Sequence, residues 1–557
     1  MEHTPKEGAG RPLYVSAPIL QNGDPAKQTQ QPSAAPALPA RPAWQPGPGY
    51  LAAALLSYPL AWFYTRYLLF SDSETCRWSM PLFAMLYLVG VSLFAWVQKR
   101  PACKESTFWA VCWLVQSLAV ALYGSHDVLS LWQWAAWHAT AVLWTMSRTG
   151  MFAAGKSGIW TPLDLLMGVT ALPWRDFFLR IVTWFGSAAK ALRSMAGTSR
   201  KKLLGILFSV VVALVLCLLA WEQLAGVDAT FARLADRLLG WLDWSRWLRP
   251  DTIIYLILSL PVGAWLFGLA GGGLRRKAPP VPAQRVRQAQ DAHPHRPSTP
   301  PYLVPRAHGA GYTPFFGLQA AEFATALGQG GLSAGAASEF AVTGFWELCR
   351  ILMLDFAVLV ALELFGGPLR IPGRRRLLLT LFGVYGLAFV FLAGAKLGAY
   401  IWLYGPTPLR MFSGWFLAVL GVWCLLALVW LWRPVPAARL GILVLAASFA
   451  VFCCLPVEQI CIDENIRRCM TGQTEDIDVS LMWQCDNGGR LDGYIAAELV
   501  KAGWFEGRTA DSVGQLYYDA ADTWNGNCTI WVQGDLLQLT FQQGVCTDAV
   551  LNRAADR

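Results

Sequence analysis

Six ionisable side chains interrupt long apolar stretches of the chain: Arg66, Glu347, Arg350, Asp355, Lys396 and Arg410. A charge inside a membrane-length segment is costly, so it is paired, snorkels to an interface or serves function. Glu347 and Arg350 stand at i,i+3, the spacing of neighbours on a helix. Arg66, Glu347, Arg350, Lys396 and Arg410 fall at similar depths near one membrane face, with Asp355 deeper. Four cations against one or two carboxylates make a candidate anion-accepting site. The plainer reading is a set of ion pairs and snorkelling chains that fix helix packing.

Other chemistry-bearing patterns are weaker. Gly150-Met-Phe-Ala-Ala-Gly155-Lys156-Ser157 fits the spacing of a phosphate-cradling loop. That chemistry needs a strand before the loop and a helix opening after it. Here an apolar helix precedes it, so the expected reading is a Gly-rich connecting loop. His126, His138, His293, His295 and His308 have no Cys or carboxylate at metal-ligand spacing, so no metal or other cofactor is expected. No catalytic Ser-His-Asp arrangement emerges.

The elements that must position these residues follow from composition. The 557-residue chain is 55% hydrophobic and 15% charged, against about 25% charged in ordinary soluble chains. Mean hydropathy is +0.38. A soluble globular enzyme, a disordered regulator and a collagen-like chain are excluded. A spanning helix takes about 20 apolar residues. Candidates are 50–70, 80–97, 106–123, 131–147, 203–221, 252–272, 342–365, 377–404, 409–432 and 439–457, with a weaker eleventh at 312–332. With eleven spans and the N-terminus inside, the inner segments carry 29 Lys/Arg (Arg439, at a span edge, included) against 5 in the outer loops, the tail aside. That bias is the positive-inside pattern.

The predicted fold is an all-α polytopic membrane protein with a small extracytoplasmic α+β C-terminal domain. Residues 1–48 read as a disordered cytoplasmic tail with no secretory signal, and 49–272 as a six-helix membrane half. Amphipathic interfacial helices are expected near 160–195 and 228–248. A Pro-rich cytoplasmic linker spans 273–311, and a five-helix half spans 312–457. Residues 458–557 hold 7 Lys/Arg against 16 Asp/Glu, so the net charge of +9 divides into −9 for this segment and +18 for the rest. The positive charge is then an orientation signal and no argument for nucleic acid.

Within the acidic segment, 492–503 reads as a helix capped by Asp492 and stopped by Gly503. Residues 528–541 read as a hairpin turning at Gly534-Asp535, with Gln533 opposite Leu536 and Ile530, Val532, Leu537, Leu539 and Phe541 on one face. Cys461, Cys469, Cys528 and Cys546 fall on the oxidising side of the membrane and are disulfide candidates, with Cys528 and Cys546 paired across the hairpin.

The runs Gly344-Phe345-Trp346-Glu347-Leu348-Cys349, Ala395-Lys396 through Tyr400, and Tyr404-Gly405-Pro406-Thr407-Pro408-Leu409-Arg410 resemble an uncharacterised family of bacterial polytopic membrane proteins, the domain of unknown function of the 4173 type. Asp463-Glu464-Asn465-Ile466 and Ile477-Asp478-Val479-Ser480-Leu481 look like its segments beyond the last helix. The resemblance covers roughly 312–500. Thr343 and Lys396 stand where the family has Arg, and Pro406 where it has Leu. The resemblance implies a bacterial plasma-membrane protein, adds no catalytic residue, and falls on Glu347, Lys396 and Arg410.

The expected function is a non-enzymatic sensor or scaffold that uses its outer domain and charged cluster. The alternative is a transporter or lipid-handling permease. Expected partners are the lipid bilayer, an anionic lipid or small anion at the charged cluster, and a cytoplasmic protein at the Pro-rich segments.

Overall fold

The structure is a computed structural model that describes residues 46–194, 250–276, 309–318, 334–365 and 373–553 apart from a few single positions, with scattered positions elsewhere. Apolar runs become helices because a backbone in lipid must satisfy its own N–H and C=O groups. The N-terminal half contains α1 (Tyr50–Tyr64), continued by a π turn over Thr65–Leu69, then α2 (Ser73–Val97), α3 (Lys104–Tyr123) and α4 (Ser130–Thr149). Three short helices follow: α5 (Thr161–Val169), α6 (Ala171–Arg175) and α7 (Leu179–Ser194). α8 (Pro250–Arg275) returns against α1.

The other half is built from α9 (Ala334–Phe365), α10 (Arg374–Tyr404), α11 (Pro408–Trp432) and α12 (Ala437–Phe452). Each packs on the next, and α12 also packs on α3, which joins the halves. Among the described residues, five helices are long and apolar enough to cross a membrane. The count becomes six if α12 and α13 (Val457–Met470), which meet at a 63° bend, are one span. The chain is therefore a mostly helical polytopic membrane protein. The expected spans at 203–221 and 312–332, the second interfacial helix at 228–248 and the linker at 273–311 lie largely or wholly outside the described residues.

Residues 160–195, expected as one amphipathic helix, are three. Pro162 opens α5, and α6 gives way to Asp176, which is drawn into the bundle. Gly268 and Gly272 of α8 make room for it: a Cβ at Gly272 would stand 2.6 Å from Asp176 Oδ2, and one at Gly268 would stand 2.6 Å from the Pro173 carbonyl. Arg275 and Arg276 close on the Asp176 carboxylate, the latter at 2.5 Å.

The C-terminal domain contains α13, α14 (Val479–Cys485), α15 (Asp492–Ala502), α16 (Ala510–Gly514) and a three-stranded antiparallel sheet in the order β1 (Gly526–Val532), β2 (Asp535–Gln542), β3 (Val545–Asn552). α15 ends at Gly503 as expected, in the left-handed region, but Asp492 is its first residue and Leu491 its cap. The hairpin turns one residue early, at Gln533-Gly534, with Val532 opposite Asp535. Both residues have positive φ, as a two-residue turn matched to strand twist requires. That slip moves one residue on each strand, so it preserves the buried face of Ile530, Val532, Leu537, Leu539 and Phe541.

The expected disulfides do not form. Cys461, Cys469, Cys528 and Cys546 are all thiols. Cys528 lies on β1 and Cys546 on β3, with β2 between them. Two strand spacings separate them by about 9–10 Å, beyond the ~7 Å Cα limit for a bridge. Cys461 and Cys469 lie eight residues apart on one helix, about 12 Å along its axis. Each thiol is instead buried in the domain core, where Cys528 donates to the Asp519 carbonyl and Cys546 to that of Asp548.

Candidate functional site

The richest buried polar cluster lies where the C-terminal domain meets the bundle. The α3–α4 loop is short and begins at Gly124, with φ +79°. It places His126 under α13, where its imidazole Nδ1 lies 2.5 Å from Glu458 Oε1. The side chains are only 2% and 8% exposed. Gln133, one turn into α4, accepts from the His126 backbone N–H at 3.0 Å. His126 Nε2 has no hydrogen-bond partner among the described residues. With Glu458 ionised, Nδ1 donates to it.

Two further contacts grip the same loop. The Ser125 carbonyl accepts from Asn487 Nδ2 at 3.3 Å and from Arg490 Nη1 at 3.2 Å. Cys461, one turn beyond Glu458 on α13, stands beside Cys485 at the end of α14. Both thiols are fully buried.

α13 also closes the end of α10. The last carbonyls of a helix lack intrahelical donors and carry partial negative charge. Arg468 donates to the carbonyls of Ile401, at 2.7 Å, and Trp402. Arg410, at the start of α11, donates to those of Tyr404, at 3.1 Å, and Gly405, and lies 4.2 Å from the centre of the Tyr400 ring. Asn465 Nδ2 donates to the Pro406 carbonyl at 3.0 Å. Gly405, with φ +79°, lets Asn465 approach, since a Cβ there would collide with its Oδ1.

The six residues singled out by the sequence divide among several places. Arg410 belongs to this junction, as a cap on α10. Arg66 is exposed in the π turn, with Tyr67 and Tyr255 rings 5.4 and 5.1 Å from its guanidinium. Glu347 and Arg350 are exposed on α9 and form no ion pair with each other. Asp355 is buried and accepts from Tyr312 Oη at 2.7 Å. Lys396 is half-buried on α10.

Sequence reasoning missed Glu458, Gln133, Asn465 and Arg468. No local signal marks them, because each finds its partner from 7 to 332 positions away. The Gly150–Ser157 loop holds carboxylates where a phosphate would sit: Glu105 Oε1 accepts from the Ser157 N–H at 3.1 Å, and Asp164 Oδ1 from the Ala153 N–H at 2.8 Å. His138 is taken by Tyr64 Oη and the Trp134 carbonyl. Among the described residues no group of three His, Cys, Asp or Glu could hold a metal ion.

Residues 108–490 match the family described as a domain of unknown function, DUF4153. The chain belongs to that family. The resemblance to the 4173 type therefore stands in its coarser form, an uncharacterised family of polytopic membrane proteins. The matched stretch begins inside α3 and ends at Arg490, so it contains both sides of the junction. No curated protein and no solved structure matches the chain.

In chemical terms the site holds a carboxylate–imidazole pair, two adjoining thiols and three side chains that cap one helix end. The pair could accept or release a proton, but its free nitrogen faces protein and not solvent. A cleft of about 310 Å³ lies nearby between α13 and α15. The charged groups lining it are already engaged, Arg467 with Glu464, Lys501 with Glu498 at 3.1 Å, and Asp463 with Tyr494 at 2.9 Å.

Proposed function

We propose that this protein is a non-enzymatic sensor or scaffold of the bacterial plasma membrane, in which the acidic C-terminal domain lies outside and is coupled to the membrane helices through α13. The buried His126–Glu458 pair carries the reading. It ties the first helix of the domain to a loop between two membrane helices, and farther along α13 Asn465 and Arg468 hold the end of α10. A displacement of α13 by a ligand or partner would act on both halves of the bundle at once. Closure of His126 Nε2 within protein supports a mechanical role over catalysis.

The proposed topology has eleven spans, the N-terminus in the cytoplasm and the Pro-rich segments free to meet a cytoplasmic protein. It rests on the charge bias and on hydropathy beyond the five or six helices. Kinship with the 4173 type, suggested by the Glu347 and Arg410 motifs, belongs with this proposal. A second reading, transporter or lipid-handling permease, draws support from Asp355. A buried carboxylate within a membrane helix is a usual mark of a transport path. Arg350 and Lys396 would then attract the anion or anionic lipid, with Glu347 offsetting part of their charge.

Hydrogen exchange on the full chain tests the coupling. Glu458→Gln should raise exchange both in α13 and at residues 124–133 and 401–411 of the bundle. Exchange that rises only within 457–553 would overturn the coupling. For the transport reading, Asp355→Asn should abolish uptake while leaving those exchange rates unchanged.

A further inference from the structure

Arg180 is 2% exposed, yet two of its guanidine nitrogens meet no acceptor among the described residues. It stands at the start of α7 and extends its side chain between α1 and α8. Its Nη1 lies 2.5 Å from where a Cβ would sit on Gly263, with the Ser57 carbonyl and the Ala61 methyl lining the same gap. Gly263 is the fourteenth of the 26 residues of α8, about 18 Å along the axis from Arg275. The guanidinium therefore lies deep in the bundle, where an uncompensated charge is costly.

Among the described residues its Nε and Nη2 have no hydrogen-bond partner, and the same holds for the neighbouring Trp184 Nε1. Tyr58 and Trp184 flank the guanidinium, their ring centres at 5.1 and 4.6 Å, which offsets part of the charge. No carboxylate among the described residues pairs with it: Asp176, one turn earlier, is engaged by Arg275 and Arg276.

Three buried N–H donors with no acceptor, around a fixed cation, match the oxygens of a phosphate. Burial lowers the affinity of Arg180 for its proton, and an anion beside it would restore that affinity. The surroundings indicate how an anion arrives. Phe178, just before α7, and Ile181, Val182 and Phe185 on it are exposed, as are Leu55 and Leu56 of α1 and Ile257 and Leu260 of α8. In a membrane protein these faces meet acyl chains. Trp184 is half-buried at the edge of the gap, beside Phe185.

We propose that Arg180, with Trp184, is a binding site for a phosphate group, reached from the bilayer when the Trp184 ring turns aside. Either a phospholipid headgroup or free phosphate supplies that chemistry. The inference is independent of whether the protein senses or transports.

The test uses the full chain in neutral detergent, with dioctanoyl phosphatidic acid, inorganic phosphate and dioctanoylglycerol as probes and melting temperature as the readout. Phosphatidic acid should raise the melting temperature of the wild type by several degrees and dioctanoylglycerol should not. Arg180→Gln should abolish the shift. Lys190→Gln, exposed on the same helix, should keep it. Trp184→Phe preserves the ring over the guanidinium but removes one donor, and should weaken the apparent affinity three- to tenfold. A matching shift with inorganic phosphate assigns the free anion, and its absence assigns the lipid. Equal shifts in Arg180→Gln and wild type, or equal losses in Lys190→Gln and Arg180→Gln, would overturn the site. If Arg180→Gln does not fold, Arg180→Lys and Trp184→Phe decide the matter, and an unchanged affinity in both overturns it.

Discussion

Asp164 is fully buried in α5, and a single hydrogen bond, from the Ala153 N–H, reaches its Oδ1, while Oδ2 has no partner. Burial pushes its carboxyl up from 3.8 to about 6, with that hydrogen bond pulling the other way. The folded chain thus keeps a proton that the unfolded chain releases. The contribution of Asp164 to stability is greatest below about pH 4, falls as pH rises to about 6 and is level above that, with a ceiling of roughly 3 kcal/mol. Asp164→Asn retains the acceptor for Ala153 and has no charge to bury. We expect it to exceed the wild type in stability at pH 7.5 by about 1–2 kcal/mol, with no difference at pH 4. Urea melts in neutral detergent at the two pH values measure this, and a variant less stable than wild type at pH 7.5 would contradict it.

At the scale of elements, glycines show where helices need close approach and where they do not. Gly272 faces an Asp176 carboxylate that two arginines hold in place, so a methyl there has no room to displace its neighbour. Gly90 of α2 has nothing within 4 Å. Gly272→Ala should destabilise the chain by about 2–3 kcal/mol. Gly90→Ala should stabilise it by up to about 1 kcal/mol, because alanine restricts the unfolded backbone. Thermal melts of both variants test the contrast, and equal effects would refute it. The same scale explains what could be read in advance. The five spanning helices, α15 with its Gly503 stop and the buried face of the hairpin follow from local period and turn chemistry. The break of 160–195 into three helices does not, since it depends on Asp176 finding Arg275 and Arg276 some 100 positions later. The cysteines misled for a related reason. Compartment chemistry favours pairing, but the strand order places β2 between Cys528 and Cys546.

Taken whole, the molecule is less divided than its charge suggests. The acidic segment differs from the rest in sign, yet its core is continuous with the bundle. Ala119, Leu129, Phe412, Phe449 and Phe452 from membrane helices and the α3–α4 loop pack in the same cluster as Ile462, Leu499, Leu537 and Phe541. Polar contacts reinforce that continuity through His126–Glu458 and the caps on α10. The pairing of His126 with Glu458 across 332 positions has no trace in local sequence, whereas Arg410, close in sequence to the carbonyls it meets, was visible as a charge at a helix start. The consequence is cooperative. A domain attached only by a linker would melt by itself, giving two transitions. Here removal of the domain core exposes apolar bundle surface and takes Arg468 from the Ile401 and Trp402 carbonyls of α10, so domain and adjoining helices should unfold together. Calorimetry on the full chain in detergent should give one transition, coincident when followed by the exposed Trp524 and Trp531 of the domain and by hydrogen exchange in α10 and α11. Glu458→Ala leaves His126 without its buried partner, at a cost of about 3–5 kcal/mol. It should lower that single transition as a unit. Two separate transitions in the wild type would show the domain to be an independent appendage and would remove the basis for coupling through α13.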